Sequence, residues 1–147
     1  MDIRLRYRSD IVASPIELPS SKSIANRALV INALSAHPAE IGGMSVCDDT
    51  QAIVGALEQV SEHSATIVDI GAAGTAMRFL TAYFAALEGV TVTLTGSQRM
   101  CRRPIALLVD ALRQSGADIA YLGEEGFPPL RIEGKRLRGG EIAIRGD

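Results

Sequence analysis

Three stretches of this chain space cationic side chains in ways that suit anion binding. In "LPSSKSIANRAL", Leu18 to Leu29, Lys22, Ser23 and Arg27 stand beside a helix start marked by Pro19 and a run of serines. With Ser23 in the first turn, Arg27 lies one turn on and on the same face, because residues four apart are neighbours on a helix. A helix N-terminus adds about half a positive charge and several unpaired amide N–H groups. Lys22, the serine hydroxyls, Arg27 and those amides together describe a site for phosphate or carboxylate. On spacing alone, a solvated lysine and a surface arginine are the plainer alternative.

The same construction recurs in "AAGTAMR", where Gly74 and Thr75 open a helix and Arg78 follows one turn later. Gly74 lets a ligand approach the backbone closely. Taken alone, Arg78 reads better as a structural group; its recurrence in register with Arg27 favours a role at a site. The third stretch, "GSQRMCRRPI", carries Arg99, Arg102 and Arg103 within five residues, just before another helix start. Guanidinium groups bind oxyanions in two-pronged fashion, so this cluster suits a ligand with more than one anionic group.

Other reactive residue types read as inert. Asp48 and Asp49 could form an acid–base pair, but adjacent aspartates immediately before a helix are more often caps. His37 and His63 sit in polar connections without ligand-like spacing to cysteine or carboxylate, so neither a metal site nor a cofactor is expected. Cys101 lies in the arginine loop, where nearby cations lower a thiol pKa, yet an incidental thiol is the simpler reading.

Hydrophobic periodicity supplies the elements that must position these groups. A first helix begins near Ser21 to Ser23, with Ile24, Ala28, Ile31 and Leu34 at helical spacing. A short strand is expected around "EIGGM", then a second helix with Asp48 or Asp49 as its cap and Ile53, Leu57 and Val60 as its stripe. "ATIVDI" reads as a strand, "GAAGTAMRFLTAYFAALEG" as a turn and third helix ending at Gly89, and "VTVTLTGS" as a strand. A fourth helix has Pro104 at its first position, Ile105, Leu108 and Leu112 on one face, and Gly116 past its end. "ADIAYLG", "PLRIEG" and "GEIAIRGD" read as three short strands.

A weak internal repeat runs through these elements: Ser23 and Thr75 are 52 residues apart, and Cys47 and Cys101 are 54 apart. Each unit reads as a supersecondary module stacked beside its copy, about 18–70 and about 71–147. The period predicts another helix start after Asp147, so the sequence reads as part of something longer.

Composition narrows the class. The 147 residues are 47% hydrophobic, enough for one core, with a formal net charge of −2. No global field recruits nucleic acid or an anionic membrane, and only 4% of residues are aromatic, against a basic and aromatic nucleic-acid stripe. "MDIRLRYRSD" lacks the apolar core of a signal peptide, and the longest apolar stretch is broken by Arg78 and too short for the roughly 20 residues that span a bilayer. Cys47 and Cys101 read as free thiols of a reducing compartment, which points to the cytoplasm.

"LPSSKSIANRAL", "GAAGTAMRFLTA" and "LTGSQRMCRRPIALLVDALRQSGA", in that order, resemble the N-terminal part of the EPSP synthase family. The resemblance implies an α/β fold of repeated βαβαββ units, two of the three units of one domain, with the first strand shared with a second domain. It implies transfer of the enolpyruvyl group of phosphoenolpyruvate to the 5-hydroxyl of shikimate 3-phosphate, with release of phosphate. Lys22 falls where the family contacts both substrates, Ser23 and Arg27 where it holds shikimate 3-phosphate, and Gly74 and Arg99 where it holds phosphoenolpyruvate. Asp49, Thr75, Arg78 and Arg103 are supporting residues. Two departures stand out: the family's frequent Asn-Ala-Gly-Thr and Met-Arg-Pro patterns are here Ala72-Ala73-Gly74-Thr75 and Met77-Arg78-Phe79. The resemblance also puts the catalytic acid and base beyond Asp147, leaving no catalytic residue assigned here and this chain inactive without its C-terminal partner portion. The alternatives are a sister transferase acting on UDP-N-acetylglucosamine and a non-catalytic anion-binding module.

Overall fold

The computed structural model describes residues 3–4, 15, 18–60 and 65–144. The strand expected at the start of the chain and His63 lie outside the described residues. Four helices and four strands follow in the order α1 (Lys22–Leu34), α2 (Asp48–Gln59), β1 (Ala65–Asp69), α3 (Gly74–Ala86), β2 (Thr91–Thr95), α4 (Ala106–Gln114), β3 (Asp118–Tyr121) and β4 (Leu130–Glu133). From β1 onward the elements run βαβαββ. They form one sheet ordered β1-β2-β4-β3, in which β1 and β2 are parallel and the β2–β4 and β3–β4 pairs are antiparallel.

Alternation in the strands gives this sheet one apolar face. Val68, Val92, Leu94, Ile119, Leu130 and Ile132 are buried, while Ile67, Arg131 and Glu133 point outward. Helix α3 lies against that inner face and touches every other helix. Its Met77, Leu80 and Phe84 are fully buried beside Ile53 of α2 and Val109 of α4. Each such side chain contributes about 1.5–3 kcal/mol relative to leaving it in water. Among the described residues, no helix is long and apolar enough to cross a membrane.

Several sequence expectations need correction. The segment around "EIGGM" forms no strand, and residues 141–144 of "GEIAIRGD" are irregular. Both lack a neighbouring strand among the described residues, and alternation without a partner makes no ladder. The cap of α2 is Cys47, which leaves Asp48 and Asp49 in the first turn. Helix α4 starts at Ala106, two residues after Pro104.

The apolar stripe assigned to α1 faces the wrong way. Ile24, Ile31 and Leu34 are exposed, and the buried face is Ala25, Asn26 and Leu29. Asn26 turns inward because the buried Thr50 hydroxyl donates to its Oδ1 at 2.8 Å, which pins α1 to α2. The Asn26 Nδ2 has no hydrogen-bond partner among the described residues in that buried position. The stripes of α2 and α4 pack on the core as expected, with Ile53 and Ile105 buried and Leu57, Val60, Leu108 and Leu112 part-buried against it.

Candidate functional site

The first turns of α1 and α3 meet across the first turn of α2. Between them opens a cleft of about 430 Å³ lined by Lys22, Asp49, Ala72, Gly74, Thr75, Arg78, Phe79 and Arg103. Lys22, the first residue of α1, comes from one wall, and Gly74, Thr75 and Arg78 from the other. Arg103 arrives from the loop before α4.

Asp49 ties the walls together. The Lys22 Nζ donates to Asp49 Oδ2 at 3.1 Å, and the Thr75 amide donates to Oδ1 at 3.0 Å. Helix α3 has no side-chain cap of its own at Ala73, so a carboxylate from a neighbouring helix fills that place. Burial alone raises the Asp49 carboxyl. The hydrogen bonds from Lys22 and the Thr75 amide, with the Lys22 charge, outweigh it and hold the group below its ordinary value. Asp49 stays ionised and fixes Lys22, whose side chain remains half-exposed.

Arg78 spans the outer edge. Its guanidinium donates to the carbonyls of Gly74 at 3.1 Å and Pro104 at 3.3 Å, joining α3 to the segment that leads into α4. This is the structural role expected of Arg78 alone, although the residue also lines the cleft. A Cβ on Gly74 would collide with the Arg103 guanidinium, so the absence of a side chain there admits that cation.

A second hollow of about 150 Å³ adjoins the first through Ala72 and Arg103, which line both, and adds Ser97, Arg99 and Met100. The loop carrying Arg99 is anchored to the turn before α3: the Ser97 amide donates to the Gly71 carbonyl at 2.8 Å, and Gly71 has a φ of +57°. Arg102 is exposed and lines neither hollow.

Lys22, Asp49, Gly74, Thr75, Arg78 and Arg103 thus share one cleft, with Arg99 in the adjoining hollow. Ser23 and Arg27 stand outside both linings, on the exposed side of α1, where Arg27 donates to the Ser23 carbonyl at 2.9 Å. Phe79 went unassigned by sequence reasoning, yet it lines the cleft, and the Arg27 guanidinium carbon lies 5.8 Å from its ring centroid. Its position four residues after Thr75, on the same helical face, was the available signal. Chemically, three cations and one committed carboxylate around a small cleft suit a ligand carrying phosphate or carboxylate groups.

A family model described as EPSP synthase (3-phosphoshikimate 1-carboxyvinyltransferase) matches residues 7–66 and 58–147. The chain belongs to the EPSP synthase family. A 3-phosphoshikimate 1-carboxyvinyltransferase of Bacteroides fragilis (strain YCH46) is 52% identical over 136 residues, covering 92% of this chain and 32% of its own length. The relative of the same name in Haemophilus influenzae (strain PittGG) is 42% identical over 161 residues, with 92% and 37% covered. Among solved structures, an EPSP synthase from Acinetobacter baumannii superposes with a TM-score of 0.75 at 25% identity, over 86% of this chain and 34% of that one. The chain spans about a third of the length of the curated EPSP synthases it matches.

Proposed function

We propose that this chain forms one wall of the active site of an enzyme that transfers the enolpyruvyl group of phosphoenolpyruvate to the 5-hydroxyl of shikimate 3-phosphate. The observation that carries this reading is the cation-lined cleft between the α1 and α3 N-termini, in a chain of the EPSP synthase family. Both substrates are anionic, and Lys22, Arg78 and Arg103 give the cleft net positive charge against the single carboxylate of Asp49.

In the proposed reaction the phosphoenolpyruvate methylene gains a proton to become a methyl, and the shikimate hydroxyl adds to the adjacent carbon and loses its proton. The tetrahedral intermediate then loses phosphate together with a methyl proton, which restores the enol double bond. Lys22, held by Asp49, sits where both substrates meet and offsets their negative charge. Gly74 and Arg99 bind phosphoenolpyruvate, and Ser23 and Arg27 bind shikimate 3-phosphate. Thr75 and Arg78 keep the walls in place, and Arg103 adds positive charge to the cleft. Fixed cations of this kind stabilise developing charge without reorganising during the reaction. Asp49 is committed to Lys22 and Thr75, so the proton transfers fall to the rest of the enzyme. The proposed setting is the cytoplasm, which suits the free thiols of Cys47 and Cys101.

Lys22→Met in the full-length enzyme is expected to lower kcat/KM by at least about 100-fold, as the loss of one preorganised charge-stabilising group does. Steady-state kinetics equal to the parent's would reject the assignment.

A further inference from the structure

Arg27 has no carboxylate partner among the described residues. Among those residues its guanidinium makes two contacts, on different elements: it donates to the Ser23 carbonyl within α1 at 2.9 Å and lies over the Phe79 ring on α3 at 5.8 Å from its centroid. The ring is part-buried, with its body packed on the core and its exposed portion lining the cleft. The residue therefore bridges a rigid interior and an otherwise exposed cation.

We infer that Phe79 is a positioning residue that holds the Arg27 guanidinium at the rim of the cleft for an oxyanion. The chemistry is that of a cation over an aromatic face, attractive within about 6 Å and stronger where water is partly excluded. A ring contact consumes no N–H donor. Among the described residues the bond to Ser23 uses one N–H of the five-donor fork, and the others can grip a phosphate. Arginine also carries a large rotamer entropy, so confining the side chain before binding lessens the ordering cost when an anion arrives. A leucine in place of the ring fills the same core-facing space but offers no quadrupole, which separates positioning from packing.

The inference rests on the anion-site reading proposed above, and the test keeps the two apart. In the NMR spectrum of the unmodified chain, the Arg27 side-chain protons should carry a ring-current shift and show cross-relaxation to the Phe79 ring. Titration with inorganic phosphate then follows the parent, Phe79→Leu and Phe79→Tyr, with melting temperatures recorded for each. Phe79→Leu should abolish the shift and weaken phosphate binding two- to fivefold, about the worth of an exposed cation–ring contact. Phe79→Tyr, which keeps the ring, should restore both. Absence of the shift in a parent chain that binds phosphate overturns the inference alone, as does a Phe79→Leu variant with unchanged affinity. A parent chain that shows the shift and binds no phosphate overturns the anion-site reading, and the inference with it. Since the ring-current measurement uses the parent chain, a variant that fails to fold leaves the positioning testable.

Discussion

Asp49 shows how much one side chain can organise. Its two oxygens accept from the Lys22 Nζ and the Thr75 amide, so a single carboxylate aligns a cation on α1 with the start of α3. Because its folded pKa is lowered, the stability it supplies is fully present above the unfolded carboxylate value of about 3.9 and is lost as pH falls through the lower folded value. Asp49→Ala should therefore destabilise the chain at pH 7 by about 1 kcal/mol, the usual worth of a helix cap. The gap between variant and parent should stay constant down to about pH 5 and narrow below about pH 4. Denaturant unfolding at pH 7 and pH 3 measures it; an equal gap at both would show that the carboxylate's charge is not what holds the junction. By residue type and spacing alone, Asp48 and Asp49 are equivalent. What separates them is a tertiary partner 26 residues away, which no local pattern encodes.

At the level of elements, the parts with one clear apolar stripe and a clear stop were legible, and those with two candidate faces were not. Helices α2 and α4 each present one such stripe, and their packed residues match it. Helix α1 is apolar on both sides, so periodicity cannot choose between Ile24, Ile31, Leu34 and Ala25, Leu29; the hydrogen bond from Thr50 to Asn26 decides. The cation clusters were visible because residue type and helix starts are local signals. Phe79 was missed because an aromatic at helical spacing reads first as core. The arginine loop depended on a glycine for a reason that spacing cannot supply. A Cβ on Gly96 would lie 2.6 Å from the Gly71 carbonyl and 3.0 Å from the Met100 side chain. That carbonyl already accepts the Ser97 amide and cannot withdraw freely. Gly96→Ala should therefore cost about 1–3 kcal/mol, as overpacking does, and displace Arg99. Gly140→Ala, with nothing within 4 Å of its added Cβ, should change stability by less than about 0.5 kcal/mol. Equal melting temperatures for the two variants would contradict the close-approach account.

For the molecule as a whole, helices cover one face of the sheet, and α1 turns an apolar stripe away from the core. Ile24, Ile31 and Leu34 are 70%, 68% and 58% exposed, and their spacing of seven and three places them on one side of the helix. β1 adds Ile67, 71% exposed, on an edge strand. Contiguous apolar surface of this kind drives association, and unpaired strand edges add a second route to it. The chain on its own should therefore sediment with a concentration-dependent coefficient. Ile31→Lys combined with Leu34→Lys places charge on the exposed stripe without touching Ala25, Asn26 or Leu29, so helix content by circular dichroism should hold while self-association falls. If the double variant associates as strongly as the parent, the α1 stripe is not the contact surface, and the edge of β1 becomes the place where copies meet.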